Sequence, residues 1–129
     1  DGSLADLIYA DHGGFIHMDG REVFRRAVRI VVESAERALS EAGVTISDIS
    51  LVLAHQANQR ILFAVADRLG VDHSRVEVCL DSYGNTSSAS IPLAVDQARR
   101  AGRLQSGDLV LMTGFGAGMT WASAVVTWS

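Results

Sequence analysis

The sequence has no lysine: all eleven basic residues are arginine, and fifteen acidic residues bring the formal charge to −4. That balance argues against bulk nucleic-acid binding, which calls for a basic face. A single cysteine, Cys79, excludes an internal disulfide framework and offers no metal site. Proline occurs once, at Pro92, and aromatic residues make up only 6%. No stretch approaches the roughly 18 consecutive apolar residues of a membrane span, and the opening residues do not read as a secretory leader. A cytoplasmic setting is therefore the default expectation. What is present, 129 residues of which 48% are hydrophobic and 20% charged, suits one domain with a real core. The chain opens at Asp1-Gly2-Ser3 without a methionine, which we read as a piece of something longer.

The most informative stretch is Leu51-Val52-Leu53-Ala54-His55. Its continuous apolar run is the pattern of a strand covered on both faces. From Gln56 onward, Ile61, Leu62, Val65, Ala66 and Leu69 recur at helical spacing until Gly70 stops the helix. His55 thus falls at the carboxyl end of a buried strand, the edge where open α/β sheets bind ligands. A lone histidine there is equally a core residue satisfied by a backbone carbonyl; its company decides between the two.

Elsewhere, residues 4–10 read as a weakly patterned strand, followed by the Asp11-His12-Gly13-Gly14 turn. His12 and His17 share this loop, but no carboxylate or cysteine completes a usual ligand set, so no metal site is expected. Residues 19–43 give the clearest helix, with Asp19 and Glu22 spaced as a capping box and Gly43 as the stop. Its opposite surface carries Arg21, Arg25, Arg26, Arg29 and Glu33, either a solvated face or a docking patch for an acidic partner. Residues 76–80 alternate as a strand should, a helix is predicted over 88–101 with Pro92 in its first turn, and strands are predicted over 109–113 and 120–128 about a flexible glycine bend at 114–118. The order strand, helix, strand, helix, strand, helix, strand, strand predicts an α/β fold with a mixed sheet and flanking helices.

Two strand-to-helix junctions then stand in equivalent places, one offering His55 and the other Asn85. An imidazole that exchanges protons near neutrality and a carboxamide that donates without changing charge would together stabilise an enolate or oxyanion. The Gly114-Phe115-Gly116-Ala117-Gly118 run allows close backbone approach to a ligand. It is a poor nucleotide site, because no helix follows to receive a pyrophosphate.

Three motifs carry a family resemblance: His55-Gln56-Ala57-Asn58-x-Arg60-Ile61, then Tyr83-Gly84-Asn85-Thr86-Ser87-x-Ala89-Ser90-Ile91-Pro92, then Gly114-Phe115-Gly116-Ala117-Gly118-Met119-Thr120-Trp121. In this order and at this spacing the chain resembles the C-terminal half of β-ketoacyl-acyl-carrier-protein synthase III. The resemblance implies a fold, the C-terminal half of a thiolase-like αβαβα layered sandwich, over residues 1–129. It also implies an activity, the decarboxylative condensation of an acyl-CoA primer with malonyl-acyl carrier protein in fatty acid or polyketide synthesis, with coenzyme A thioesters and phosphopantetheine as substrates and no further cofactor. His55 and Asn85 would be two members of a Cys-His-Asn triad, and the Ala117 backbone amide would serve the oxyanion hole, with alanine where the family often has glycine. Gly20, Phe24, Ala57 and Asn58 match positions lining the pantetheine channel; Arg25, Arg60 and Arg68 match basic positions that would meet the acidic carrier protein. The nucleophilic cysteine belongs to an N-terminal half not contained in these residues. Cys79, in an apolar alternating run, reads as an inert buried thiol. The resemblance further implies a homodimer when both halves are present, and a fragment that is inactive alone. A relative acylating another acceptor, and a noncatalytic half-domain binding coenzyme A or carrier protein, are the alternatives.

Overall fold

A computed structural model describes residues 1–129. The sheet is built on β3 (Leu51–Ala54), which pairs in parallel with β4 (Leu109–Gly116); β4 in turn pairs antiparallel with β5 (Thr120–Thr127). Ahead of them lie a small antiparallel hairpin of β1 (Ile8–Ala10) and β2 (Ile16–Met18) and the long helix α1 (Gly20–Ala42). Helix α2 (Gln59–Leu69) follows β3, and a one-turn helix α3 (Leu80–Tyr83) and α4 (Ser90–Arg100) separate it from β4.

Alternation along the strands sorts the core into two sides. Val52 and Ala54 of β3 and Leu111 of β4 pack with Ala35 and Leu39 of α1 and Leu62 and Ala66 of α2. Leu51, Leu53 and Val110 point the other way, onto Ala94 and Ala98 of α4. All four β3 residues are buried for that reason: the sheet is the middle of three layers, and a strand covered on both faces needs apolar residues at every position. Leu53, fully buried, contributes about 1.5–3 kcal/mol by leaving water.

Helix α1 starts where the sequence suggests. The Asp19 carboxylate accepts from the Glu22 amide, and Gly43, in the left-handed region at φ 69°, closes the helix. Only half of the expected capping box forms, because the Glu22 carboxylate is taken by Arg25 and Arg26.

Several expectations need correction. Residues 4–10 are a strand only from Ile8; a 3-10 turn spans Gly2–Leu7. The loop holding His17 is instead strand β2, where His17 stacks on Tyr9 at 5.0 Å between ring centroids. Helix α2 begins at Gln59 rather than Gln56, since the Asn58 side chain caps it by accepting from the Arg60 amide. Residues 114–116 belong to β4, so the bend narrows to the residues just after it. The largest change concerns residues 76–80, which form no strand. Val76 makes a single parallel bridge to Val52, and the Glu77 amide donates to the Val52 carbonyl at 3.0 Å. Beyond that point the buried Gln56 side chain replaces the ladder, donating to the carbonyls of Ala54 and Glu77 and accepting from the Cys79 amide. Cys79 itself is 1% exposed, and burial, with Glu77 and Asp81 nearby, pushes its thiol pKa up.

Candidate active site

His55 is placed by backbone. Its amide donates to the Thr113 carbonyl at 2.9 Å, which extends the β3–β4 pairing one residue past β3. The ring lies edge-on to Phe115 of β4, with centroids 5.6 Å apart and planes at 71°. Its Nδ1 stands 2.7 Å from the hydroxyl of Ser90, the first residue of α4. Burial alone lowers the imidazole pKa below its ordinary value, by disfavouring the charged form.

Asn85 reaches the same place along an irregular segment. Gly84, at φ 68°, turns the chain out of α3. The Asn85 Oδ1 accepts from the Ser87 amide at 3.0 Å, which assigns the carboxamide orientation and leaves its NH2 as the outward donor. Ser87 itself adopts φ 52°, the sole non-glycine residue with a positive φ. A backbone held in so sparse a region persists only when its surroundings fix it.

Both side chains line one cavity of about 1070 Å³. Its wall draws on β1, β2, the start of α1, the ends of β3 and β4, and β5, and it is mainly apolar: Ile8, Ile16, Met18, Phe24, Ile91, Met112, Phe115 and Trp121 are among the lining residues. His55 is the one titratable side chain among the residues that line it. The site therefore combines one proton-exchanging group, one neutral donor and an apolar wall, an arrangement suited to stabilising a developing negative charge.

Seven of the ten residues singled out by sequence are brought together here: His55, Asn85, Ala117, Gly20, Phe24, Ala57 and Asn58 all line the cavity. Ala117 follows Gly116, the last β4 residue in the β4–β5 pairing, so its amide lies outside that ladder. The three arginines do not line the cavity. Arg60 places its guanidinium 5.9 Å from the centroid of the Phe24 ring, at the cavity's margin. Arg25 follows Phe24 and is paired with Glu22. Arg68 lies in the last turn of α2, about 12 Å along the helix from Arg60, so the chain does not bring it to the cavity. Ser90, Gln56 and Trp121 stand in the quoted motifs, but the sequence assigns them no role, because a hydroxyl at a helix start, an amide after a histidine and an aromatic on a strand do not by themselves show what they touch. The hairpin residues Ile8, Ile16 and Met18 were missed as part of the wall.

A layered α/β fold with these two side chains at one sheet edge is that of the thiolase-type condensing enzymes. The solved 3-oxoacyl-acyl-carrier-protein synthase III of Aquifex aeolicus matches 99% of this chain with a TM-score of 0.97 at 44% identity, covering 42% of that structure. The corresponding structure from Thermus thermophilus covers 100% of the chain and 44% of its own, with a TM-score of 0.94 at 46% identity. The chain belongs to the 3-oxoacyl-acyl-carrier-protein synthase III family, whose C-terminal description matches residues 39–128. Among curated relatives, β-ketoacyl-acyl-carrier-protein synthase III of Desulfitobacterium hafniense is 54% identical over 114 residues, covering 88% of this chain and 34% of the relative. The chain thus spans less than half of the length of the proteins it matches, from 28% to 45%. No helix is long and apolar enough to cross a membrane.

Proposed function

We propose that this chain is the C-terminal, decarboxylating part of a condensing enzyme that joins an acyl primer to malonyl-acyl carrier protein in fatty acid or related synthesis. The supporting observation is the convergence of His55, just past β3, and Asn85, in the segment between α3 and α4, on one mainly apolar cavity. In this reading the primer is carried as a thioester on a cysteine of the N-terminal half. The malonyl thioester oxygen sits between the protonated His55 Nε2 and the Asn85 NH2. As the malonyl carboxylate leaves as carbon dioxide, its electron pair forms an enolate whose oxygen both groups stabilise. The enolate carbon attacks the primer carbonyl, the Ala117 amide holds the resulting oxyanion, and collapse expels the cysteine as thiolate. No metal or further cofactor enters.

Gly20, Phe24, Ala57 and Asn58 would flank the pantetheine arm, and Arg25, Arg60 and Arg68 would face the acidic carrier protein. The N-terminal half of the same enzyme and a second copy are the expected partners, in the cytoplasm, and the C-terminal part alone is expected to be inactive. The test is His55→Ala in the complete enzyme. Malonyl decarboxylation should fall on the order of 100-fold or more, while transfer of the primer onto the cysteine survives. Retained decarboxylation would remove His55 from this role.

A further inference from the structure

We infer that Glu77 is a positioning residue: it fastens α4 to the main chain that leads into the Asn85 loop, and so sets where the Asn85 carboxamide stands relative to His55. A glutamate is almost never fully buried unless it is paired, and Glu77 is 2% exposed although the proposed chemistry makes no use of its charge. Both of its carboxylate oxygens are engaged. Oε1 accepts from the Gln97 Nε2 at 3.0 Å, and Oε2 is paired with the Arg103 guanidinium. Gln97 also donates to the Val78 carbonyl at 3.3 Å, so both of its amide protons go to residues 77 and 78. Arg103 closes the far end of α4, its amide donating to the Ala98 carbonyl at 2.9 Å, and its guanidinium also reaches the Ser74 carbonyl. The main chain of Glu77 is bound on the opposite side: its amide donates to the Val52 carbonyl at 3.0 Å, and its carbonyl accepts from the Gln56 side chain at 3.1 Å. One residue therefore joins β3 and the neighbour of His55, through its backbone, to α4, through its carboxylate.

The Asn85 loop is strung between these two supports. It leaves at Cys79, whose amide donates to the Gln56 Oε1 at 3.0 Å, and ends at Ser90, the first residue of α4, whose hydroxyl stands 2.7 Å from His55 Nδ1. Most of residues 80–89 are exposed, so the place of Asn85 follows from where the two ends are held more than from packing of its own. Cys79 also shares an apolar cluster with Ala94 and Ala98 of α4, but apolar contact is non-directional and lets a helix slide. Charge-assisted hydrogen bonds to a carboxylate do not. A slip of one residue along a helix is about 1.5 Å, and a misplacement of about 1 Å at reacting groups costs on the order of 100-fold in rate.

The inference rests on the proposed decarboxylation, and the test separates the two. In the complete enzyme, Glu77→Ala should lower kcat for malonyl decarboxylation on the order of 10- to 100-fold, with KM and transfer of the primer onto the cysteine unchanged. A merely structural role would lower both half-reactions together, and that result overturns the proposal. Glu77→Gln, which keeps an oxygen for Gln97, should recover part of the loss. Should Glu77→Ala fail to fold, Gln97→Met, which leaves the carboxylate with Arg103, should lower kcat on the order of tenfold in the same selective way. In an Asn85→Ala background, where no carboxamide remains to be placed, Glu77→Ala or Gln97→Met should cost nothing further; a full additional loss there, or wild-type kcat in the single variants, also overturns it. A crystal structure of the variant gives a readout independent of activity: the Asn85 carboxamide should move by about 1 Å relative to His55, and an unmoved carboxamide counts against Glu77. If Asn85→Ala alone decarboxylates at the wild-type rate, the proposed function fails, and that displacement still decides whether Glu77 positions the loop.

Discussion

The two junctions that form the site are built from different materials. His55 is held by main chain: β3 pairs with β4 from Leu51 to Ala54, and the His55 amide continues the pattern onto Thr113. Asn85 is held by side chains. The segment leading to it, from Glu77 to Cys79, rests on the Gln56 carboxamide, on Gln97, which donates to the Glu77 carboxylate and the Val78 carbonyl, and on Arg103, which pairs with Glu77. A ladder spreads its hold over many residues, none of whose side chains is essential to it. An arm held by a few polar side chains concentrates its hold, so single substitutions there should reach the chemistry.

The sharpest way to break this contrast is to compare two buried positions. Gln56→Ala strips partners from three backbone groups, the carbonyls of Ala54 and Glu77 and the Cys79 amide, at an expected cost of about 3–5 kcal/mol. Val52→Ala, in the ladder and 4% exposed, should cost about 2 kcal/mol through lost packing. In the complete enzyme the denaturation midpoint should fall for both, whereas kcat for decarboxylation should drop on the order of 10- to 100-fold only for Gln56→Ala. Equal kcat values in the two variants would show that the Asn85 arm does not depend on Gln56.

The same contrast explains what was legible beforehand. β3, α1, α2 and β4 follow from apolar periodicity, and their burial sorts as the pattern requires; β5 was legible as a strand although none of its residues is buried. His55 and Asn85 were legible through the elements around them and through the motifs. The alternation in 76–80 suggested a strand, but local pattern cannot reveal that a glutamine more than twenty residues upstream satisfies that backbone instead. Ser90 was hidden for a related reason: only the fold brings its hydroxyl among the Ser87 carbonyl, the Gln56 amide and the His55 ring. The hairpin β1–β2 was partly missed because its apolar residues are exposed. Phe15 is 87% and Ile16 75% exposed, so no buried face imposes a readable alternation.

Charge pairing divides the two arms as well. After the Asn85 loop, Arg99 and Arg100 share Asp96, and Arg103 is on Glu77. On α2, Arg60 and Arg68 have no acidic partner, and Arg60 stands over Phe24 at the cavity margin. If carrier protein docks through unpaired charge near the site, Arg60→Glu should raise KM for the carrier substrate about tenfold, with kcat held and the effect shrinking at high salt. Arg100→Glu should stay within about twofold. A similar KM for both variants would return Arg60 to the solvated surface.

The smallest expected effect concerns titration, which only one arm can show. The groups around the His55 ring are the Ser90 hydroxyl and the Phe115 ring, and no carboxylate lines the cavity with it. Burial is therefore the cause of its lowered pKa. The sign follows directly. As pH falls through the ordinary imidazole value, about 6.5, an unfolded chain takes up a proton that the folded ring resists, so this group's contribution to stability declines with falling pH and is constant well above that value. An NMR titration of the complete enzyme should place the His55 midpoint below the ordinary value. Asn85→Ala should leave that midpoint where it is, because burial and not the carboxamide sets it. A midpoint above the ordinary value would require an acidic neighbour from outside this chain, and the His55 junction would then no longer be set by its own backbone and packing alone.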